Sequence, residues 1–388
     1  MQVLRQHADE ILRRYKGETP LSGFINSYFK QYPILGSKDR KIIAERVFTY
    51  YRISKLVADL NEEEKSLCLD AFMAERLTPN LLKNALKNSN WTESGQSIDE
   101  RIAQLEENGI EVKIQDTLKN LPSLTYGLNQ NDYANYLLHQ NAVFVKPQAK
   151  HTEKLLDALN KAEIAFSKEE DGLIHVASNS KLQEILKPAW YRIQDASSVA
   201  TQAYFPDCNP TSVWDTCAGG GGKSLLLHEK YPKAKLYASD NRAHMLENLK
   251  QRFKEHGYPL PWCFEWDGEN ARETMPSSSL FDLILCDVPC SGSGTWARSP
   301  ESLYFFDQDE FAKLPEKQKT IVKSALKHLK PGGYLVYITC SVFRDENEAV
   351  IDAICQTEGL SCETQTLING IERRADCLFV AVLKREEV

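Results

Sequence analysis

No stretch of this chain approaches the run of about 18 apolar residues that a membrane-spanning helix requires, so no membrane partner is expected. The first twenty residues, MQVLRQHADEILRRYKGETP, are charged throughout and lack the apolar centre of a secretory signal, which points to the cytoplasm. None of the ten cysteines sits in a CxxC pair, and the eight histidines do not cluster with them. No structural metal is therefore expected. A cytosolic chain of this size has no need of disulfides, so the thiols should be reduced. There is no overall basic excess either. A net charge of −7 excludes an indiscriminate polyanion binder, although it leaves room for a local basic surface. Nothing in the sequence demands a second copy, and a monomer is expected.

What is present is an ordinary globular composition, 42% apolar and 26% charged over 388 residues, enough for two or three domains. Residues 4–16 and 20–60 carry apolar positions at helical spacing, and helical character continues until Pro79 breaks it. Between Arg5 and Lys55 eleven basic residues face five acidic ones. From about 120 to 200 short strands, AVFVKP and GLIHVA, flank the helix HTEKLLDALNKA, a small α+β pattern. After residue 211 strand and helix alternate: TSVWDTC, KLYASD, LFDLILCD and YLVYITCS are apolar without clean alternation, as in a parallel sheet covered on both faces. ADCLFVAVLKRE near the end reads as an edge or hairpin strand. The expected fold is α/β. A helical module (1–118) and a small α+β domain (119–200) precede a Rossmann-like domain with a mostly parallel sheet (201–388).

Between the first of these strands and the next helix lies DTCAGGGGKS, residues 215–224. Four consecutive glycines allow positive φ and a close backbone approach to a ligand. The run fits neither a P-loop in register nor a dinucleotide GxGxxG start. A nucleotide-like ligand crossing the sheet edge is the better reading, a plain flexible turn the poorer one. Asp240 ends the second strand, where a carboxylate accepts ribose hydroxyls in dinucleotide folds; a helix cap is its plainer alternative. Asp267, after the third strand, is a candidate for the adenine side or a mere turn residue. A nicotinamide cofactor is disfavoured because no second mononucleotide half follows.

Buried cysteine is common as a small hydrophobe, and Cys217, Cys286, Cys355 and Cys377 read that way. Cys290, in DVPCSGSGTWARSPE, and Cys340, in YITCSVFRDENEAV, differ because both follow strand ends at the ligand-binding edge. Carbon 5 of cytosine is too electron-poor to take a methyl group directly. Addition of a thiolate at carbon 6 creates an enamine that can, and cysteine is both a strong nucleophile and a competent leaving group. A carboxyl group at N3 eases that addition, and Asp287 stands three residues from Cys290. Position alone does not say which thiol attacks.

These motifs resemble the Nop/Sun family of S-adenosylmethionine-dependent RNA cytosine-5 methyltransferases, in particular bacterial members acting on ribosomal RNA. The resemblance covers most of the chain and is strongest over 190–385. The family loop CAAPGGKT reads CAGGGGKS here, and DAPCSG, TCS and ENE have counterparts. The resemblance implies S-adenosylmethionine as cofactor, held by Ala218, Gly219, Gly220, Gly221, Gly222, Lys223, Asp240, Asp267 and Asp287. It implies Cys340 as nucleophile, Cys290 as the thiol that aids product release, and Asp287 as a third catalytic group. Gln194, in YRIQDASSVAT, and Arg298 fall on substrate positions. Near 143–150 the family's Arg-x-Asn-x-x-Lys is replaced by VFVKPQAK, in which only Lys150 has a counterpart.

The RNA path expected from basic and aromatic residues runs over Lys38, Arg40 and Lys41, with Arg46, Arg52, Tyr50 and Tyr51 beside them; a solvated helix face is the alternative. Lys319, Lys323 and Lys327 read more simply as the wet side of an amphipathic helix. The leading expectation is a 16S ribosomal RNA cytosine-5 methyltransferase, with the immature small ribosomal subunit as a further candidate partner. Its rivals are a transfer-RNA cytosine-5 methyltransferase and a non-catalytic RNA-binding assembly factor.

Overall fold

A computed structural model of the chain describes residues 2–74, 97–176, 182–269 and 280–387. Packing divides the chain into two compact units. One comprises Met1–Leu121, Asn129–Gln140 and Trp296–Asp307, the other Pro122–Leu128, Asn141–Thr295 and Gln308–Val388. The division differs from the three segments read along the sequence, because it groups the α+β segment with the larger sheet. Among the described residues no helix is long and apolar enough to cross a membrane.

The first unit is helical. Where the sequence suggested one long element over 20–60, there are two helices, Leu21–Gln31 and Ser37–Ile53. Pro33 cannot continue a helix, and Gly36 is extended with its N–H donated to Asp39 Oδ2 at 3.3 Å. Leu21, Ile25 and Phe29 lie on one face and Ile43, Val47 and Tyr51 on another; both are buried in a common core with Ile11. The segment Trp296–Asp307 belongs to this unit. Glu301 accepts the Leu21 N–H at 3.1 Å, and the Phe305 ring lies where a side chain at Gly17 would fall. The break expected at Pro79 lies outside the described residues.

The second unit contains two sheets. The smaller is antiparallel, ordered β2-β3-β1-β4, from β1 (Val143–Pro147), β2 (Phe166–Lys168), β3 (Ile174–Val176) and β4 (Tyr191–Ile193). Leu155, Leu156 and Leu159 of helix Thr152–Lys161 pack against its Val145, Ile174 and Val176.

The larger sheet uses β5 (Ser212–Asp215), β6 (Lys235–Asp240), β7 (Trp262–Glu265), β8 (Phe281–Asp287), β9 (Leu329–Thr339), β10 (Leu360–Ile368) and β11 (Leu378–Arg385). Its order is β10-β11-β9-β8-β5-β6-β7, with β5 to β9 parallel, β11 antiparallel to β9 and β10 antiparallel to β11. The sheet is mostly parallel and Rossmann-like. The expected terminal strand exists as half of a hairpin, but it lies inside the sheet with its first six residues buried. The edge belongs to β10, whose polar SCETQT gave no strand signal because its side chains are largely exposed.

A partly buried charge cluster ties the small sheet to the helix behind the glycine loop. Arg192 of β4 donates through both terminal nitrogens to Glu229, at 2.5 and 3.0 Å, and Lys146 of β1 adds a contact at 2.9 Å. Burial would raise the Glu229 pKa. Hydrogen bonds and charge from Arg192, then Lys146, outweigh it and bring the carboxyl down to about 2. A folded-state value below the unfolded one stabilises above the ordinary carboxylate range, and that contribution disappears as pH falls from about 4.5 towards 2. Glu229→Gln should therefore lower stability at pH 7 by about 2–3 kcal/mol and flatten the acid limb of a plot of Tm against pH. Wild-type and variant curves running parallel between pH 5 and pH 2, on the order of the window just given, would sink this account.

Candidate active site

The chain leaves β5 to build β6 and β7 on one side and returns through β8 and β9 on the other. At that switch point the loops after β5 and β8 diverge above the sheet and open a crevice. A cavity of about 590 Å³ occupies it, a size suited to a nucleotide-like molecule.

The glycine loop forms one wall. Gly219 and Gly221 take φ of 49° and 82°, the left-handed region. A Cβ at Gly221 would stand 2.7 Å from Leu249, so that turn lacks room as well as the right backbone for any other residue. Asp240 fixes the loop from the end of β6: its carboxylate accepts the Gly219 N–H at 2.9 Å and the Arg242 N–H and Nε–H at 3.0 Å each. Asp215, at the end of β5, is wholly buried beneath the loop and accepts the Ser224 hydroxyl at 2.6 Å. Burial pushes its carboxyl up to about 7, against the Ser224 hydrogen bond and with help from the Asp287 charge.

Lys223 crosses the cavity floor to Asp287 at 2.7 Å. Burial works to lower the Lys223 pKa; the Asp287 carboxylate outweighs it, with smaller help from Cys340 and Asp215, and holds the ammonium above its ordinary value. The opposite wall carries the two thiols. Cys290 Sγ lies 3.3 Å from Cys340 Sγ, although fifty residues separate them. The hydrogen bond with Cys340, followed by burial, pushes the Cys290 thiol well above its usual range.

Ala218, Gly219, Gly220, Gly222, Lys223, Asp240, Asp267, Asp287, Cys290 and Cys340 all line this one cavity. Gly221 is not in its wall and serves the turn instead. Gln194, only 8% exposed, accepts from Arg192 Nε at 2.7 Å and donates to Ser198 and to Gly222 O at 3.3 Å each, so it braces the glycine loop. Arg298, Lys38, Arg40 and Lys41 belong to the other unit. There Lys38 and Lys41 are exposed, while Arg40 stacks on Phe29 and donates to Leu35 O. Arg46 pairs with Asp70, and the buried Arg52 donates to the main-chain oxygens of His139 and Ala297. Lys319 and Lys323 are ion-paired with Glu316 and Glu358, as the wet side of a helix would be. Sequence reasoning missed Arg242, Trp266 and Lys317 in the cavity wall, which no motif marked. Cys217, read as plain core, is also in it.

Residues 205–373 match the family described as 16S rRNA methyltransferase RsmB/F. The ribosomal RNA small subunit methyltransferase B of Salmonella arizonae is 33% identical over 178 residues, which cover 43% of this chain and 38% of that protein. Its Escherichia coli namesake is 32% identical over 190 residues, covering 46% and 41%. The chain thus aligns with only those shares, 38% and 41%, of the curated relatives' length. Among solved structures, PH0851 is similar with a TM-score of 0.68 at 17% identity, over 98% of this chain and 97% of that one. NSun6 from Pyrococcus horikoshii, solved with SFG, is similar with a TM-score of 0.58 at 15% identity, over 70% and 97%. At these identities the structural likenesses establish the fold.

Gly221→Ala should cost about 2 kcal/mol, from a left-handed alanine pressed on Leu249. Gly220→Ala, whose Cβ would meet nothing nearer than 3.7 Å, should cost less than about 1 kcal/mol. Thermal melting of both variants checks this, and equal Tm values would contradict the geometry.

Proposed function

We propose that this chain, whose residues 205–373 form a methyltransferase domain of the RsmB/F family within the Nop/Sun methyltransferases, methylates carbon 5 of a cytosine in small-subunit ribosomal RNA. The reaction would take place in the cytoplasm, with the immature small ribosomal subunit as a candidate substrate particle. The observation that carries the reading is the meeting of two cysteines from separate loops, 3.3 Å apart, at the wall of a nucleotide-sized cavity. The names of the relatives support the choice of RNA.

The cavity suits S-adenosylmethionine. Asp240 and Asp267 offer carboxylates to hydroxyl and amino groups, and the glycine loop admits close backbone approach. Bound there, S-adenosylmethionine supplies an electrophilic methyl group on a sulfonium. Cys340 Sγ, as thiolate, forms a bond to carbon 6 of the cytosine, and the ring's carbon 5–carbon 6 pair shifts to make carbon 5 nucleophilic. The Lys223 ammonium lies close enough to Cys340 for the sulfur to help hold it protonated. Asp287 holds the N3 edge of the ring. After methylation the carbon 5 proton passes to solvent water, its bonding pair re-forms the carbon 5–carbon 6 double bond, and the carbon 6–sulfur bond breaks to release Cys340 as thiolate. Cys290, the neighbouring thiol, assists that release. The small antiparallel sheet and the exposed Lys38 and Lys41 are assigned to RNA contact.

The test is methyl transfer from labelled S-adenosylmethionine to RNA from cells lacking the protein, fractionated by size and mapped to the base. Wild type should place 5-methylcytosine in small-subunit ribosomal RNA, and Cys340→Ser should fall to background. Cys290→Ser should turn over about a hundredfold more slowly and accumulate a covalent RNA adduct on Cys340. Label confined to transfer RNA would keep the chemistry and overturn the substrate. Absence of label from free RNA and from immature particles alike would favour a binding factor.

A further inference from the structure

Behind the two thiols lies a carboxylate to which the reading above gives no work. Glu346 is completely buried, yet it is fully engaged. Its Oε1 accepts the Ser291 main-chain N–H at 2.8 Å and the Gln318 side-chain amide at 2.9 Å. Its Oε2 accepts the hydroxyls of Ser291 and Ser341, each at 2.5 Å. Ser291 follows Cys290 and Ser341 follows Cys340. One side chain thus grips both cysteine-bearing loops, immediately beside each thiol.

The two serines also touch each other, Oγ to Oγ at 3.2 Å, and Ser293 closes the ring with contacts of 3.1 Å to both. Glu346 is itself held from behind, because its main-chain oxygen accepts the buried Tyr337 hydroxyl at 2.7 Å. A carboxylate that accepts four hydrogen bonds in the interior is satisfied in place; removed, it leaves donors from two loops without an acceptor. Its neighbour makes a useful contrast. Asn347 is just as buried, but its side chain bonds Thr339 and Ser341, on the Cys340 side.

We propose that Glu346 is a positioning residue that sets the separation and facing of the Cys290 and Cys340 thiols. Its negative charge also falls on Cys290, where it adds to the pressure keeping that thiol protonated. The role rests on the reading of the two cysteines given above, although the hold of Glu346 on the loops can be measured without it.

Two measurements test this. Diamide joins two adjacent thiols as a disulfide and takes up their two hydrogens, so the rate of Cys290–Cys340 crosslinking reports the spacing with neither RNA nor donor present. Glu346→Ala should slow that crosslinking about tenfold or more, and it should lower kcat about a hundredfold with KM for RNA and donor unchanged. Asn347→Ala should leave crosslinking within about threefold of wild type, because Glu346 still bridges the loops. Should Glu346→Ala fail to fold, Ser291→Ala removes one grip only and should slow crosslinking severalfold. Crosslinking at the wild-type rate in Glu346→Ala, or in Ser291→Ala where that variant must decide, overturns the proposal. So does an equal slowing in Asn347→Ala. A wild type that crosslinks quickly but methylates no RNA would instead remove the proposed reaction and leave the structural hold of Glu346 standing.

Discussion

Everything at this site depends on β5, β8 and β9 lying side by side in parallel register. Asp215 is paired with Leu285, and Asp287 with Ile338. Parallel strands all end on the same edge, so three loops distant in sequence must leave the sheet within a few ångströms of one another. The glycine loop follows β5, the Cys290 loop follows β8 and the Cys340 loop follows β9. Neither thiol could do the proposed chemistry in isolation. The register brings a carboxylate, an ammonium and two sulfurs to a single cavity, and core packing of Trp214, Ile284, Leu335 and Tyr337 holds that register.

The charges at this edge restrain one another. Asp215, Asp240 and Asp287 would repel if all were left bare in a shared low-dielectric region. Each has a different answer. Asp240 is paired with a loop N–H and with Arg242, and Asp287 with Lys223. Asp215, sealed away from water, is raised to about 7. Lys223 therefore does more than complete the loop motif. It offsets the acid cluster while facing the sulfur proposed to attack, and the acids in turn keep it charged.

Much of this could be read before any coordinates. Motifs that combine a strand end with Gly, Asp or Cys carried the donor loop, Asp240, Asp287 and both thiols, because α/β sheets place ligands beyond their carboxyl edge. Pattern failed where the physics was not local. The bracing contacts of Gln194 with Arg192, Ser198 and the glycine loop could not be foreseen, because they are set by the docking of the small sheet. Arg52 read as part of a basic face, yet it is buried with its donors turned to carbonyl oxygens. Strand β10 was invisible because an exposed edge needs no apolar period. Glu346 stood in plain view inside ENE, and its four partners could not be guessed from spacing.

The glycine loop shows how far such a motif can drift without losing its geometry. Where the resembled family has Ala-Pro, this chain has Gly219 and Gly220. Space does not require either glycine, since a Cβ at each would meet nothing closer than Met245 and Arg252 at 3.7–3.8 Å. Backbone conformation favours one of them: Gly219 has φ of 49°, while Gly220 stays outside the left-handed region. Four glycines make the unfolded loop more flexible and so raise the entropy lost on ordering it. The compensation is enthalpic and external to the loop. Asp240 binds the Gly219 N–H, Arg252 binds the Gly220 oxygen at 3.1 Å and Gln194 binds the Gly222 oxygen, each from a different element of the same unit. A loop that its own sequence leaves loose is made rigid by its surroundings. The Gln194 brace is what couples it to the small sheet, the part of this unit proposed to contact RNA.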